Sequence, residues 1–183
     1  MGTMLQSAGL KAGELPELLN ISSPETVLAV HKGYAEAGSE YITTNTFGAN
    51  SLKFDNYAEL IKAGVRLAKS TGKKVLLDIG PTGKLLKPMG DLDFDDAIEI
   101  FAQMIRAGKD GADAVLIETM SDTYEIKAAV LAAKENCDLP IYVTMIFDEK
   151  GRLLTGADIK PAVTMLEGLG IDAIGFNCGL GPK

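Results

Sequence analysis

Gly111-Ala112-Asp113-Ala114-Val115-Leu116-Ile117-Glu118 is the stretch that decides the fold. An apolar, β-branched run enters from a glycine and an acid and ends on a carboxylate. The same frame recurs on either side. Gly38 leads through Glu40 and Tyr41–Thr44 to Asn45, and Gly170 leads through Asp172 to Asn177. A looser copy runs from Gly72 to Asp78, and another run, Ile141–Met145, carries Thr144 near its end. Buried parallel strands are apolar almost throughout. Polar residues gathered at their C-terminal ends mark the edge where β/α folds bind ligands.

Between these runs lie segments of helical period: Pro24–Ala37, Asn56–Ser70, Phe94–Ala107, Asp122–Glu135 and Pro161–Leu169. Alternation of this kind means βαβ units and a parallel sheet. Ser23 before Pro24 reads as an N-cap with proline at the first helical position. Asp122 with Glu125 reads as an Asp form of the capping box. Gly38 and Gly108 stand where left-handed C-caps belong.

Five such units fit a complete flavodoxin-like domain or part of a closed barrel. A barrel needs roughly 250 residues, and the chain has 183. Met1–Asn20 reads as a loop with no strand before the first helix, and the chain ends at Gly179–Lys183 just after a strand. The expectation is therefore an α/β, parallel (β/α)8 TIM-barrel type that is incomplete. It would hold five of eight units, the second to the sixth, in a single domain over residues 1–183. Lys84–Asp93, the longest irregular stretch, would lie over the site.

Composition sets the function classes. The net charge of −7, with no basic stripe, argues against nucleic acid and against an anionic membrane surface. No apolar run is long enough to span a bilayer. No secretory signal is visible, and Met1-Gly2 lacks the Ser or Thr of a myristoylation start, because Gln6 stands there. Two cysteines, Cys137 and Cys178, then read as reduced thiols in a cytoplasmic protein.

Individual residues keep more than one reading. Asp78-Ile79-Gly80-Pro81-Thr82-Gly83 is neither a P-loop nor a dinucleotide fingerprint. It is either a tight turn or a place where backbone and Asp78 approach a ligand. Glu118, after three apolar residues, binds a cation, acts as a base of raised pKa, or caps the helix that follows. Cys178 at a strand end is a metal ligand, a nucleophile or a small apolar residue. Cys137 falls in a helix-to-strand loop on the opposite face of the sheet and reads as structural. His31 reads as a helix-packing histidine, and Ala29 stands where a cobalamin-ligating Asp-x-His-x-x-Gly motif needs aspartate.

Several segments together resemble the homocysteine S-methyltransferase family. They are Glu14-Leu15-Pro16-Glu17 with Asn20, Val30-His31-Lys32-Gly33-Tyr34 and Thr44-Asn45-Thr46-Phe47-Gly48-Ala49. Asp78–Gly83, Ile117-Glu118-Thr119-Met120, Leu154-Thr155-Gly156 and Gly175-Phe176-Asn177-Cys178 complete the series. Within the family the chain is most similar to the N-terminal, homocysteine-binding barrel of the cobalamin-dependent methionine synthases.

The resemblance implies methyl transfer to the zinc-activated thiol of homocysteine. Cys178 would be the first of three zinc-bound thiolates; the family's other two form a Cys-Cys pair that this sequence does not contain. Glu118 would meet the substrate ammonium, Asn177 would line the same pocket, and Thr46 and Phe47 would sit where the second strand meets the site. Met1-Gly2-Thr3 would be the tail of a loop whose backbone takes the carboxylate, so Gly2 and Thr3 join the substrate-binding set. Asn45, Asp78, Gly80, Thr82 and Thr144 would line the mouth. Methylcobalamin, with folate-bearing and cobalamin-bearing domains, would supply the methyl group from outside this domain. Betaine or S-methylmethionine as donor, or a lyase or isomerase using Glu118 or Asp78 as base, are the competing expectations. With one of three ligands in hand, the 183-residue chain is expected to be inactive alone.

Overall fold

The computed structural model describes residues 1–11 and 13–179. Residues 180–183, expected to follow the last strand directly, lie outside the described residues. In chain order the elements are α1 (Gly2–Ser7), α2 (Leu19–Ser22), α3 (Pro24–Glu36), β1 (Tyr41–Thr43), α4 (Tyr57–Lys69) and β2 (Lys74–Ile79). Then follow α5 (Phe94–Gly108), β3 (Ala114–Met120), α6 (Thr123–Asn136), β4 (Ile141–Met145), α7 (Ile159–Gly168) and β5 (Ala173–Phe176). Every expected helix and strand is present, with ends moved by a residue or two.

The sheet is parallel and its strands run β1-β2-β3-β4-β5 without a reversal. A doubly wound domain has a switch point where strand order reverses. This sheet has none. It is the wall of a barrel, left open at β1 and β5 among the described residues.

Strand burial alternates as a wall requires. Leu77, Ile79, Val115, Ile117, Val143 and Met145 are buried against the helices. They pack on Ile61, Phe101, Met104, Ile105, Ile126 and Val130. Each such side chain contributes about 1.5–3 kcal/mol by leaving water. Tyr41, Leu76, Leu116 and Tyr142 alternate with these onto the concave face and are only half-buried.

Two acids of the sequence repeat have a structural task. Asp113 Oδ2 accepts Val75 N–H at 2.7 Å, and Asp172 Oδ2 accepts Ile141 N–H at 2.8 Å. Each acid at a strand entrance thus satisfies the first buried donor of the strand before it.

Three local expectations are corrected. Met1–Asn20 is not a loop: it holds α1, a 3-10 turn at Pro16–Leu18 and the first half of α2. Leu5 of α1 is fully buried against Val27 and Val30 of α3. Gly108 does not adopt a left-handed cap, since its φ is −115°. It is small because a Cβ there would stand 2.4 Å from Leu77 Cδ1. Asp122 does cap α6, accepting Tyr124 N–H at 2.9 Å, but Glu125 does not close the box. Its carboxylate turns away to Thr82. Gly38 is left-handed, with φ of 98°. Among the described residues no helix is long and apolar enough to cross a membrane.

Candidate functional site

The C-terminal ends of β2, β3 and β5 bring Asp78, Glu118, Asn177 and Cys178 to one edge. Pairing of β3 with β4 shifts register between Ile117 and Met120. That irregularity frees Glu118 and Thr119 from the ladder, as bulges beside sites do. Asn177 Nδ2 donates to Glu118 Oε2 at 3.3 Å and to Thr119 Oγ1 at 2.7 Å. Thr144 Oγ1 accepts Thr119 N–H at 3.2 Å, and Thr119 Oγ1 lies 4.0 Å from Cys178 Sγ. Thr119 and Cys178 have φ of 59° and 54°. Left-handed backbone at two non-glycine residues costs of order 1–2 kcal/mol each and clusters where side chains must be aimed. Thr119 carries no sequence signal of its own; the irregular register reveals its part.

Burial sets the electrostatics. Asp78 is buried on the concave face, and desolvation, then the neighbouring Glu118 charge, push its carboxyl well above the usual range. Glu118 is also raised by desolvation, partly offset by a hydrogen bond from Asp78. Both carboxyls are thereby held above the ordinary carboxylate range. Glu118 does not cap α6; Asp122 does.

The loop after β1 is fastened from several sides. Asp78 N–H donates to Thr44 Oγ1 at 3.0 Å, and Thr46 Oγ1 donates to Asp78 O at 2.7 Å. The 2.7 Å contact between the two threonines is therefore donated by Thr44. Asn45 Nδ2 donates to Pro16 O at 2.8 Å and Asn20 Oδ1 at 3.0 Å, while Asn20 Nδ2 donates to Asn45 O at 2.8 Å. Glu17 Oε1 accepts Gly48 N–H at 2.6 Å. Glu17 and Asn20 are buried yet held no place among the candidate site residues; their value is in fixing this loop.

The expected residues therefore separate. Asp78, Glu118, Thr144, Asn177 and Cys178 converge. Phe47, 37% exposed, covers Gly80, where a Cβ would meet its ring at 2.6 Å. Asn45 and Thr46 are buried and consumed in holding the loop; Thr46 Cγ2 faces Gly64 of α4. Thr82 is buried too, its N–H and Oγ1 donating to Glu125 Oε1 at 2.8 and 2.6 Å. Gly2 and Thr3 belong to α1, which packs against α3, and do not form a carboxylate loop. A cavity of about 910 Å³ between α1 and α3, lined by Met4, Ala8, Val30 and Tyr34, is apolar and separate from the strand ends.

Zinc requires four donors in a closed site or three plus an open position. Cys178 is exposed and offers one sulfur. Cys137 lies at the end of α6, its thiol donating to Ala133 O at 3.4 Å. Among the described residues no group of three or more His, Cys, Asp or Glu could hold a metal ion. The described residues do not make a zinc site.

The sequence pattern of the family described as homocysteine S-methyltransferase matches residues 1–183. Methionine synthases of Mycobacterium tuberculosis (strain ATCC 25618 / H37Rv) and Mycobacterium leprae (strain TN) are each 31% identical over 209 residues. Each alignment covers 100% of this chain and 17% of the relative, so the chain spans about a sixth of their length. The metallated homocysteine methyltransferase MmuM of Escherichia coli has the same fold, with a TM-score of 0.84 at 20% identity. That match covers 97% of this chain and 72% of the other. With the family pattern running the whole length of a barrel wall whose strand ends carry Glu118, Asn177 and Cys178, the chain belongs to the homocysteine S-methyltransferase family.

Proposed function

We propose that this domain binds homocysteine as methyl acceptor for its conversion to methionine, as the homocysteine-binding part of a cobalamin-dependent methionine synthase. The observation that carries this reading is the Glu118–Asn177 hydrogen bond beside Cys178, in a chain of this family. Glu118 holds the substrate ammonium, Asn177 fixes that carboxylate, and Phe47 gives the methylene chain an apolar wall. Thr144 positions Thr119, which in turn orients Asn177 and faces the Cys178 sulfur. A thiol reacts as its thiolate; zinc would supply that activation only where further sulfur ligands joined Cys178, the one sulfur this chain offers at the strand ends. The methyl donor is methylcobalamin carried on another domain, recharged from a folate domain. Free thiols at Cys137 and Cys178 support a reducing, cytoplasmic setting.

Titration calorimetry with L-homocysteine tests the reading. Glu118→Gln should weaken binding about 10- to 100-fold, the loss of one charge-assisted contact. Equal binding by wild type and variant rejects it. Metal analysis after dialysis checks the donor count. The 183-residue chain should retain clearly less than one equivalent of zinc, and stoichiometric zinc would refute the single-sulfur assignment.

A further inference from the structure

Glu125 is buried where α6 has no need of it. Asp122 already caps the helix, accepting Tyr124 N–H at 2.9 Å. Glu125 is 4% exposed, Asp122 beside it carries the same sign of charge, and no basic side chain pairs with it among the described residues. Burying a carboxylate in this way is costly unless donors meet it. Both donors come from Thr82, whose N–H and Oγ1 lie 2.8 and 2.6 Å from Glu125 Oε1. In the same loop, Gly80 N–H donates to Phe47 O at 2.9 Å. The Phe47 ring lies so near that a Cβ on Gly80 would stand 2.6 Å from its Cδ2 and Cε2. Asn50, fully buried, donates from Nδ2 to Thr82 O at 3.5 Å. On the other side of Phe47, Glu17 Oε1 accepts Gly48 N–H at 2.6 Å. Phe47 therefore stands between two buried carboxylates. Glu17 reaches it through Gly48, and Glu125 reaches it through Thr82 and Gly80.

We propose that Glu125 is a positioning residue that acts through Thr82 and Gly80 to set the Phe47 ring against the substrate's methylene chain, and so selects the length of that chain. This rests on the homocysteine reading and deepens it. Glu125 itself touches no substrate; it fixes the loop on which the apolar wall leans. One methylene in an apolar contact is worth about 10- to 200-fold in discrimination. A gap of roughly 0.5–1 Å forfeits about a quarter to a half of each contact. A small retreat of Phe47 therefore erodes selection by length while the contacts to ammonium and thiol, made on other strands, persist.

Calorimetry with L-homocysteine and L-cysteine tests the proposal, since the two differ by one methylene. Wild type should favour homocysteine by about 10-fold or more. In Glu125→Leu that ratio should fall about 3-fold. Glu125→Gln keeps an acceptor oxygen for both Thr82 donors and should restore it. A merely structural role lowers the amount of folded protein, weakens both thiols alike and leaves the ratio unmoved. Where Glu125→Leu does not fold, Thr82→Val replaces it; this variant keeps the N–H bond and should lower the ratio by a smaller factor. The same ratio in every folded chain overturns the proposal and leaves homocysteine binding intact. If wild type binds neither thiol, the function proposed above falls and this proposal with it. Hydrogen exchange of the unliganded chains reads the linkage itself. Exchange of Gly80 N–H relative to Val115 N–H, which is held in the sheet by Pro140 O, should rise about 10-fold in Thr82→Val. An unchanged ratio of the two amides overturns the proposal.

Discussion

Asp113 and Asp172 show what a single side chain does at a strand entrance. Each accepts a backbone N–H near the start of the preceding strand, a donor that would otherwise be buried unpaired. Asp172→Ala should cost about 1–2 kcal/mol in urea unfolding, with Asp172→Asn recovering part of it. His31 is a different kind of residue. It is 1% exposed, its Nε2 has no partner among the described residues, and burial lowers its pKa to about 4. The folded state thus binds fewer protons than the unfolded chain between about pH 6.5 and pH 4. Its contribution to stability is complete above pH 6.5 and is lost as the pH falls toward 4. Wild type should lose about 2 kcal/mol more than His31→Gln between pH 7 and pH 4.5, measured by urea titration at each pH. Comparing the two chains cancels the opposite trend of Asp78, Glu118 and Glu125, whose raised pKa values favour the folded state in acid.

At the scale of elements, α6 and the loop after β2 are joined by one carboxylate. Glu125 lies in the first turn of α6 and receives both Thr82 N–H and Thr82 Oγ1–H. Glu125→Ala leaves the buried Thr82 N–H without an acceptor and the Thr82 hydroxyl with only its long contact to Lys84 O, and should cost about 1–3 kcal/mol. Gly80→Ala should be about as harmful, because its Cβ would lie 2.6 Å from the Phe47 ring and from Phe47 O, and backbone cannot step aside. Thermal unfolding followed by circular dichroism checks both.

The elements themselves were legible from their periods, since β-branched runs between amphipathic segments admit little else. Glu118, Asn177 and Cys178 were legible as strand-end residues. What was hidden depends on contacts between distant segments. Asn45 and Thr46 read as lining the mouth, yet Asn20, Pro16 and Asp78, far off in sequence, take up their hydrogen bonds. Glu125 fitted a local capping pattern, and a partner 43 residues away won it. α1 was hidden because Met1–Asn20 is too short to show a period and is held by burial of Leu5.

The whole molecule is a wall with helices on one side. Among the described residues β1 and β5 each have one strand neighbour, so each offers an unpaired edge. Such edges template pairing with other chains. A net charge of −7 opposes that approach, and salt screens the opposition. Sedimentation velocity should show self-association that rises with protein concentration and again with added sodium chloride. Salt-independent, monomeric behaviour would contradict this view of the edges.

The half-covered inner surface around Leu76, Leu116, Tyr41 and Tyr142 also bears on how the protein is assayed. Dyes that fluoresce on greasy surfaces will glow on the native form, so a dye-based melt begins bright and shows a shallow rise. With no tryptophan in the chain, indole emission cannot replace it, and ellipticity is the signal that follows unfolding.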